Sequence, residues 1–228
     1  NTSLPGVKLY RAVFFVPSVA GVIGVTLIWK GLFNAQTGTI NWAIGEWGSR
    51  LNAILPGDPL PDRVEIGWLS DPSVPFGLPQ VWWLPSIALL TVVIVFSWAQ
   101  FGFNTVLFTA GLQSIPRELY EAAELDGANA WQRFRNVTVP SLGATTFFVT
   151  ATTVILCLQL FDIVYALNQP NPVGFPNNAT LTPVVYLYQL GFQQNAFGLA
   201  SAVAWVLFIL IFFFTLAQFR RQRAEAEA

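Results

Sequence analysis

The sequence contains no histidine, no methionine and a single cysteine, Cys157. Without histidine there is no imidazole to move protons near neutral pH. With one thiol there is neither an internal disulfide nor a Cys/His metal site. Charge is almost as scarce. Asp, Glu, Lys and Arg make up 10% of 228 residues, where a soluble domain carries about 25%. A net charge of −1, from 11 basic and 12 acidic residues, offers no basic face for nucleic acid. The missing methionine means that no initiator is present, so the expectation is a chain that begins inside a longer gene product. What remains is apolar: 54% hydrophobic and 15% aromatic, with a mean hydropathy of +0.55. So little polar cover makes the membrane the first class to test.

A span needs about 20 apolar residues to cross about 30 Å of hydrocarbon. Gaps between charges place four: 12–33, 84–110, 143–167 and 196–219. Their length favours helices over strands. Pro17 is expected to kink the first. The fold class expected is all-α, a polytopic membrane bundle forming one domain over 1–228.

Lysine and arginine set the orientation. Lys8, Arg11, Arg117, Arg133, Arg135, Arg220, Arg221 and Arg223 fall on one side, and Arg50 and Arg63 on the other. Residues 1–11, 111–142 and 220–228 are therefore expected in the cytoplasm, with 34–83 and 168–195 outside. Lys30 lies near an outer end, where it can snorkel. Trp82 and Trp83 suit an aromatic belt. Within 34–83, Ile40, Ile44, Trp47, Leu51 and Ile54 share one helical face, which predicts an amphipathic helix on the outer interface. Residues 55–80 read as irregular loop, given Pro56, Pro59, Pro61, Pro72, Pro75 and Pro79.

Between the second and third spans the chain runs from Ser114 to Pro140. Pro116 suits a helix start, and Glu118 and Glu121 favour the positive helix end. Ala122 and Ala123 give a small packing surface. Gly127 after Asp126 fits a left-handed C-terminal cap. A second short helix is expected over about 130–136, carrying Trp131, Arg133, Phe134 and Arg135, and Pro140 closes the element. Two readings stand: a solvated loop with ordinary caps, or a docking knob, which the aromatics favour.

Glu121-Ala122-Ala123, then Gly127, then Val137-Thr138-Val139-Pro140 resembles the EAA motif of ABC-importer permeases, with Val in place of the family's Ile and Leu. The resemblance extends over nearly the whole chain. Arg11–Pro17 with Leu27–Asn34 is similar to the third span of the carbohydrate-type group, the maltose MalF and glycerol-phosphate permeases. Trp68–Pro72 resembles their outer loop, Ala110–Pro116 the approach to their EAA loop, and Leu160–Tyr165 their fifth span. Asn168-Gln-Pro-Asn-Pro172 departs from the family's Thr-x-Gly-Gly-Pro. The family has at least six spans, so two more are expected upstream.

The resemblance implies the pathway subunit of an ATP-driven importer, with no catalysis of its own. It implies as partners a MalG-like second permease, two ATPase subunits that use ATP and Mg, an extracytoplasmic solute-binding protein and the lipid bilayer of a bacterial inner membrane. Coupling to the ATPase would fall on Glu121, Ala122, Ala123, Asp126, Gly127, Val137, Val139 and Pro140. The chain itself binds no cofactor or metal on this reading. Its only lysines, Lys8 and Lys30, lie in no phosphate-binding loop.

The polar residues inside the expected spans are few. Asp162 is the one acid there, with Gln159 and Tyr165 three residues to either side and Phe161 next to it. They are expected to form either a sugar-facing stretch of the pathway or a structural cap at a helix end. Gln100 and Asn104, four apart, either line the same path or hydrogen-bond between helices. Cys157 is expected to be a small buried hydrophobe. Asn178-Ala-Thr180 matches a glycosylation sequon by accident. No span interior carries a basic residue, so a neutral sugar leads as cargo, with glycerol-phosphate, a polyol or another solute as the alternative. Asp162 alone makes no intramembrane active site, and the EAA spacing argues against a channel or a scaffold.

Overall fold

A computed structural model describes residues 20–52, 54, 65–75 and 84–227, with side chains to residue 222. Pro17, Arg63, Trp82, Trp83, most of the expected 55–80 loop and the start of the first span lie outside the described residues. Among the described residues all regular structure is helical: α1 (Val22–Leu32), α2 (Thr39–Asn52), α3 (Ile87–Gln113), α4 (Arg117–Leu125), α5 (Ala130–Arg133), α6 (Val139–Ser141), α7 (Gly143–Leu158), α8 (Asp162–Asn168), α9 (Pro183–Tyr188) and α10 (Phe197–Glu227). π-helical turns Phe134–Thr138 and Gln189–Gln193 follow α5 and α9.

Two helices are long and apolar enough to cross a membrane, α3 and α10. A third arises if Ala130–Ser141 and Gly143–Leu158, bent by 62° at Leu142, count as one broken span. The expected span 143–167 is not one helix. It ends at Leu158, and α8 starts afresh at Asp162.

The chain forms two compact units. In the unit of 20–99 and 160–203, α1 packs on α8, and the core gathers Phe33, Val92, Val95, Ile163, Val164, Leu167, Val173 and Val185. Where the surroundings are apolar, such a core gains mainly from close packing rather than from escape from water.

Hydrogen bonds fix the polar joints of this unit. Asn41, 5% exposed, donates to the carbonyls of Ala35 and Ile66, each at 3.0 Å, and accepts from Trp68 Nε1 at 2.7 Å. The Trp68 carbonyl in turn accepts from Thr91 Oγ1 at 2.9 Å. Asn41 thus fixes the inward side of α2 through hydrogen bonds. Asn41, Gly45 and Asn52 are buried and Ile40 packs against the core, while Trp42, Ile44, Trp47, Leu51 and the following Ile54 are exposed together with Glu46 and Arg50. Asn34 Oδ1 accepts from the backbone of Gln36 and Thr37, bending the chain so sharply that a Cβ on Gly38 would lie 2.3 Å from the Asn34 carbonyl.

Lys30 is engaged at the end of a neighbouring helix. Its ammonium donates to the carbonyl oxygens of Ala166, at 3.4 Å, and Gln169, at the C-terminal end of α8. Unsatisfied carbonyls and the negative end of the dipole favour a cation there. Asn168 and Thr180, both buried, bond to each other at 3.0 Å. Asn168 therefore anchors the segment that departs from the family's Gly-Gly turn, and the sequon's Thr180 is a structural residue.

In the unit of 100–159 and 204–228, α7 lies against α10, with the rings of Phe147 and Phe219 5.0 Å apart. Cys157 is exposed on α7, contrary to the expectation of burial.

Candidate functional site

The segment Ser114–Ser141 forms two helical arms. Pro116 precedes α4, with Glu118 in the first turn. Gly127, at φ +76°, ends that arm. Its N–H donates to the Glu124 carbonyl at 3.0 Å, and the Ala128 N–H donates to Ala123 at 2.9 Å. This paired closure satisfies the last carbonyls of α4 and needs the left-handed conformation that glycine takes without a Cβ penalty.

Asn129 starts the second arm with a reciprocal cap. Its Oδ1 accepts from Gln132 N at 2.9 Å, and its own N–H donates to Gln132 Oε1 at 2.8 Å. The expected helix over 130–136 runs on to Ser141, so Pro140 lies within the helical run rather than closing it. The π-helical turn explains how. Proline lacks an N–H and clashes with the carbonyl four residues back, and the widened turn relieves that clash.

Two contacts bind the arms: the Arg133–Glu124 ion pair and a 2.9 Å hydrogen bond between the hydroxyls of Tyr120 and Thr138. Glu121, Ala122 and Asp126 are exposed, Ala123 is half-buried, and Trp131 and Phe134, with ring centroids 5.6 Å apart, stand exposed together. A cleft of about 350 Å³ lies between the arms, bordered by Ala123, Gly127, Gln132 and Val137. A second, of about 740 Å³, is bordered by Val139, Pro140, Phe147, Thr150, Gln218 and Arg221.

The expected pathway residues are divided. Gln159 is the C-cap of α7, whereas Asp162 opens α8, so Gln159, Asp162 and Tyr165 do not share one helical face. Phe161 and Tyr165 do come together, stacked at 5.3 Å. Asp162 is exposed in the first turn of α8, where the dipole favours an anion. Gln100 and Asn104 are half-buried one turn apart on α3.

Residues not anticipated complete the Phe161–Tyr165 pair. Tyr188 contacts both rings, at 5.1 and 5.7 Å. A hydrogen bond with Tyr165, then the Tyr165 charge and slight burial, push its phenol above the ordinary tyrosine value. Thr182 Oγ1 donates to the Leu160 carbonyl at 2.6 Å and so ties α9 to the break before α8. Tyr188 and Phe192, four apart, were the available sequence signal for a further ring pair.

Residues 8–224 match the family described as binding-protein-dependent transport system inner membrane component. The chain is 32% identical over 98% of its length to the lactose transport system permease protein LacF of Rhizobium radiobacter, covering 66% of that protein. It is 32% identical over 92% of its length to the arabinooligosaccharides transport system permease protein AraP of Halalkalibacterium halodurans, covering 57% of it. To the trehalose/maltose transport system permease protein MalF of Thermococcus litoralis it is 30% identical, over 95% of this chain and 62% of the relative. The chain thus spans about three-fifths of the length of these relatives. A chain from a crystal structure of a bacterial ABC transporter involved in the import of the acidic polysaccharide alginate has the same fold. Its TM-score is 0.75 at 20% identity, with 98% of this chain and 68% of that one covered. The apolar helices and the family agree on a membrane protein. The chain belongs to the binding-protein-dependent transport system inner membrane component family.

Proposed function

We propose that the chain is the membrane-spanning subunit of an ATP-driven importer, forms the pathway for a neutral saccharide, and couples to a separate ATPase through Ser114–Ser141. The observation that carries the coupling role is the two-armed knob, with Glu121, Trp131 and Phe134 exposed on arms held rigid by their own caps and cross-links. Such an element transmits displacement as a rigid body. Glu121, Ala122, Ala123, Asp126 and Gly127 are the contact arm. Val137, Val139 and Pro140 join it to the membrane part.

The cargo reading draws on the relatives, which are named for lactose, arabinooligosaccharides and trehalose/maltose. It is supported by Lys30, whose ammonium is engaged by the α8 carbonyls and so is not offered to an anion. Phe161, Asp162 and Tyr165, with Gln159, Gln100 and Asn104, are the pathway candidates.

On this reading four spans traverse the bacterial inner membrane, the one over 143–167 broken between Leu158 and Asp162, with 1–11, 111–142 and 220–228 cytoplasmic and α2 on the outer interface. The partners are a second permease, two ATPase subunits that use ATP and Mg, and a solute-binding protein outside.

The test is co-expression with the partner ATPase. Glu121→Lys is expected to insert normally yet lose most co-purified ATPase and transport. Wild-type transport with the ATPase retained would remove the knob from coupling.

A further inference from the structure

The stack of Phe161 and Tyr165 does not end at α8. Tyr188 contacts both of those rings and also Phe192, at 5.3 Å, and Phe192 reaches Phe197 at 6.2 Å. Rings from three elements, α8, the α9–π run and the start of α10, thus make one continuous row within the unit of 20–99 and 160–203. Phe161, Tyr165 and Tyr188 are half-buried, whereas Phe192 and Phe197 are 66% and 59% exposed.

Exposed polar residues neighbour the row in sequence: Gln193, Gln194 and Asn195 follow Phe192, and Asp162 follows Phe161. A surface made only for acyl chains gains nothing from amides and a carboxylate among its rings, since each is costly in hydrocarbon without a partner. A saccharide uses both kinds of group. Its C–H faces pack on aromatic planes, and its hydroxyls bond amide and carboxylate groups.

The geometry points to Tyr188, Phe192 and Phe197 as a stacking track that extends the Phe161–Tyr165 pair and takes a neutral oligosaccharide. The inference rests on the saccharide reading above. It adds residues of the α9–π run and of α10 to the Phe161–Tyr165 pair. The track is made of small, equivalent contacts rather than one deep site. A sugar chain moves along it by exchanging one ring for the next, and passage requires binding that is spread over several weak steps. Length selectivity follows: a trisaccharide contacts several rings at once, a monosaccharide one.

The test uses the complete transporter, with its ATPase and binding protein, in proteoliposomes. The probes are labelled neutral mono-, di- and trisaccharides of glucose, galactose and arabinose. Phe192→Leu keeps an apolar side chain for lipid but loses the ring face, and Phe192→Trp keeps a face. Trisaccharide uptake per assembled complex is expected to fall about three- to tenfold in Phe192→Leu and to stay within about twofold in Phe192→Trp. Monosaccharide uptake is expected to change less than trisaccharide uptake. Should Phe192→Leu accumulate poorly, Phe197→Leu carries the same expectation. Wild-type uptake of a trisaccharide with no loss in either leucine variant overturns the track and leaves the saccharide reading standing. No uptake of any probe by the wild-type complex, with its ATPase active, overturns both.

Discussion

Two regions of this chain are built alike, as helix, break, helix, and their breaks have opposite origins. Between α4 and α5 the break is written locally: Gly127 takes φ +76° and Asn129 caps the next helix through Gln132. Between α7 and α8 the residues are Gln159, Leu160 and Phe161, with no glycine, proline or side-chain cap. That break is held from outside the segment, by Thr182 Oγ1 on the Leu160 carbonyl and by Tyr188 on the Phe161 ring. A local break survives changes elsewhere in the fold, whereas a borrowed one fails when its distant partner is removed.

The largest effect expected tests the local break. Gly127→Pro forces φ to about −65° where +76° is needed. It should cost about 3 kcal/mol or more in the knob and abolish ATPase co-purification and transport, while the protein still inserts. Retained coupling would show that the turn can be rebuilt without glycine. Next comes the borrowed break. Thr182→Val removes both the donor to Leu160 and the acceptor for Val185 N–H. About 1–2 kcal/mol of stability should be lost, read as a lower thermal midpoint in detergent, with faster amide exchange confined to residues around 159–165. Unchanged exchange there would mean that the ring contacts alone hold the break.

A smaller loss is expected at the other end of α8. Lys30→Met keeps the stem but removes the cation from the Ala166 and Gln169 carbonyls. About 1 kcal/mol should go, with exchange at 166–169 as the readout. The smallest effect sharpens the role of Asp162. It is exposed at the start of α8, so Asp162→Asn should cost only about 0.3–1 kcal/mol and leave the folded yield near wild type. Altered uptake at normal yield then assigns it to the pathway; a low yield with normal uptake per folded molecule assigns it to structure.

The knob was the most legible part of the chain because its determinants are local. Pro116, Glu118 and Gly127 act within one turn of themselves, and the Asn-x-x-Gln cap at 129–132 is equally local. The amphipathic face of α2 was legible too, since 3.6-residue periodicity needs no partner to be seen. The inward role of Asn41 was not, because its hydrogen-bond partners Ile66 and Trp68 lie about 25 residues away. At the pathway candidates, an uncharged run from 136 to 161 looked like one helix continuing to about 167. Hydropathy registers the apolar character of such a run and is blind to a bend within it.

The sequence by itself determined a charge-poor, histidine-free helical membrane chain, its knob and the turn at Gly127, because composition, period and backbone sterics act at short range. Only the tertiary structure decided where the third apolar run divides, which carbonyls Lys30 caps, and that rings as far apart as Phe161 and Phe197 form one row. Those depend on hydrogen-bond donors and ring faces supplied by distant segments, and a side chain's partner across the fold is fixed by packing rather than by its neighbours in the chain.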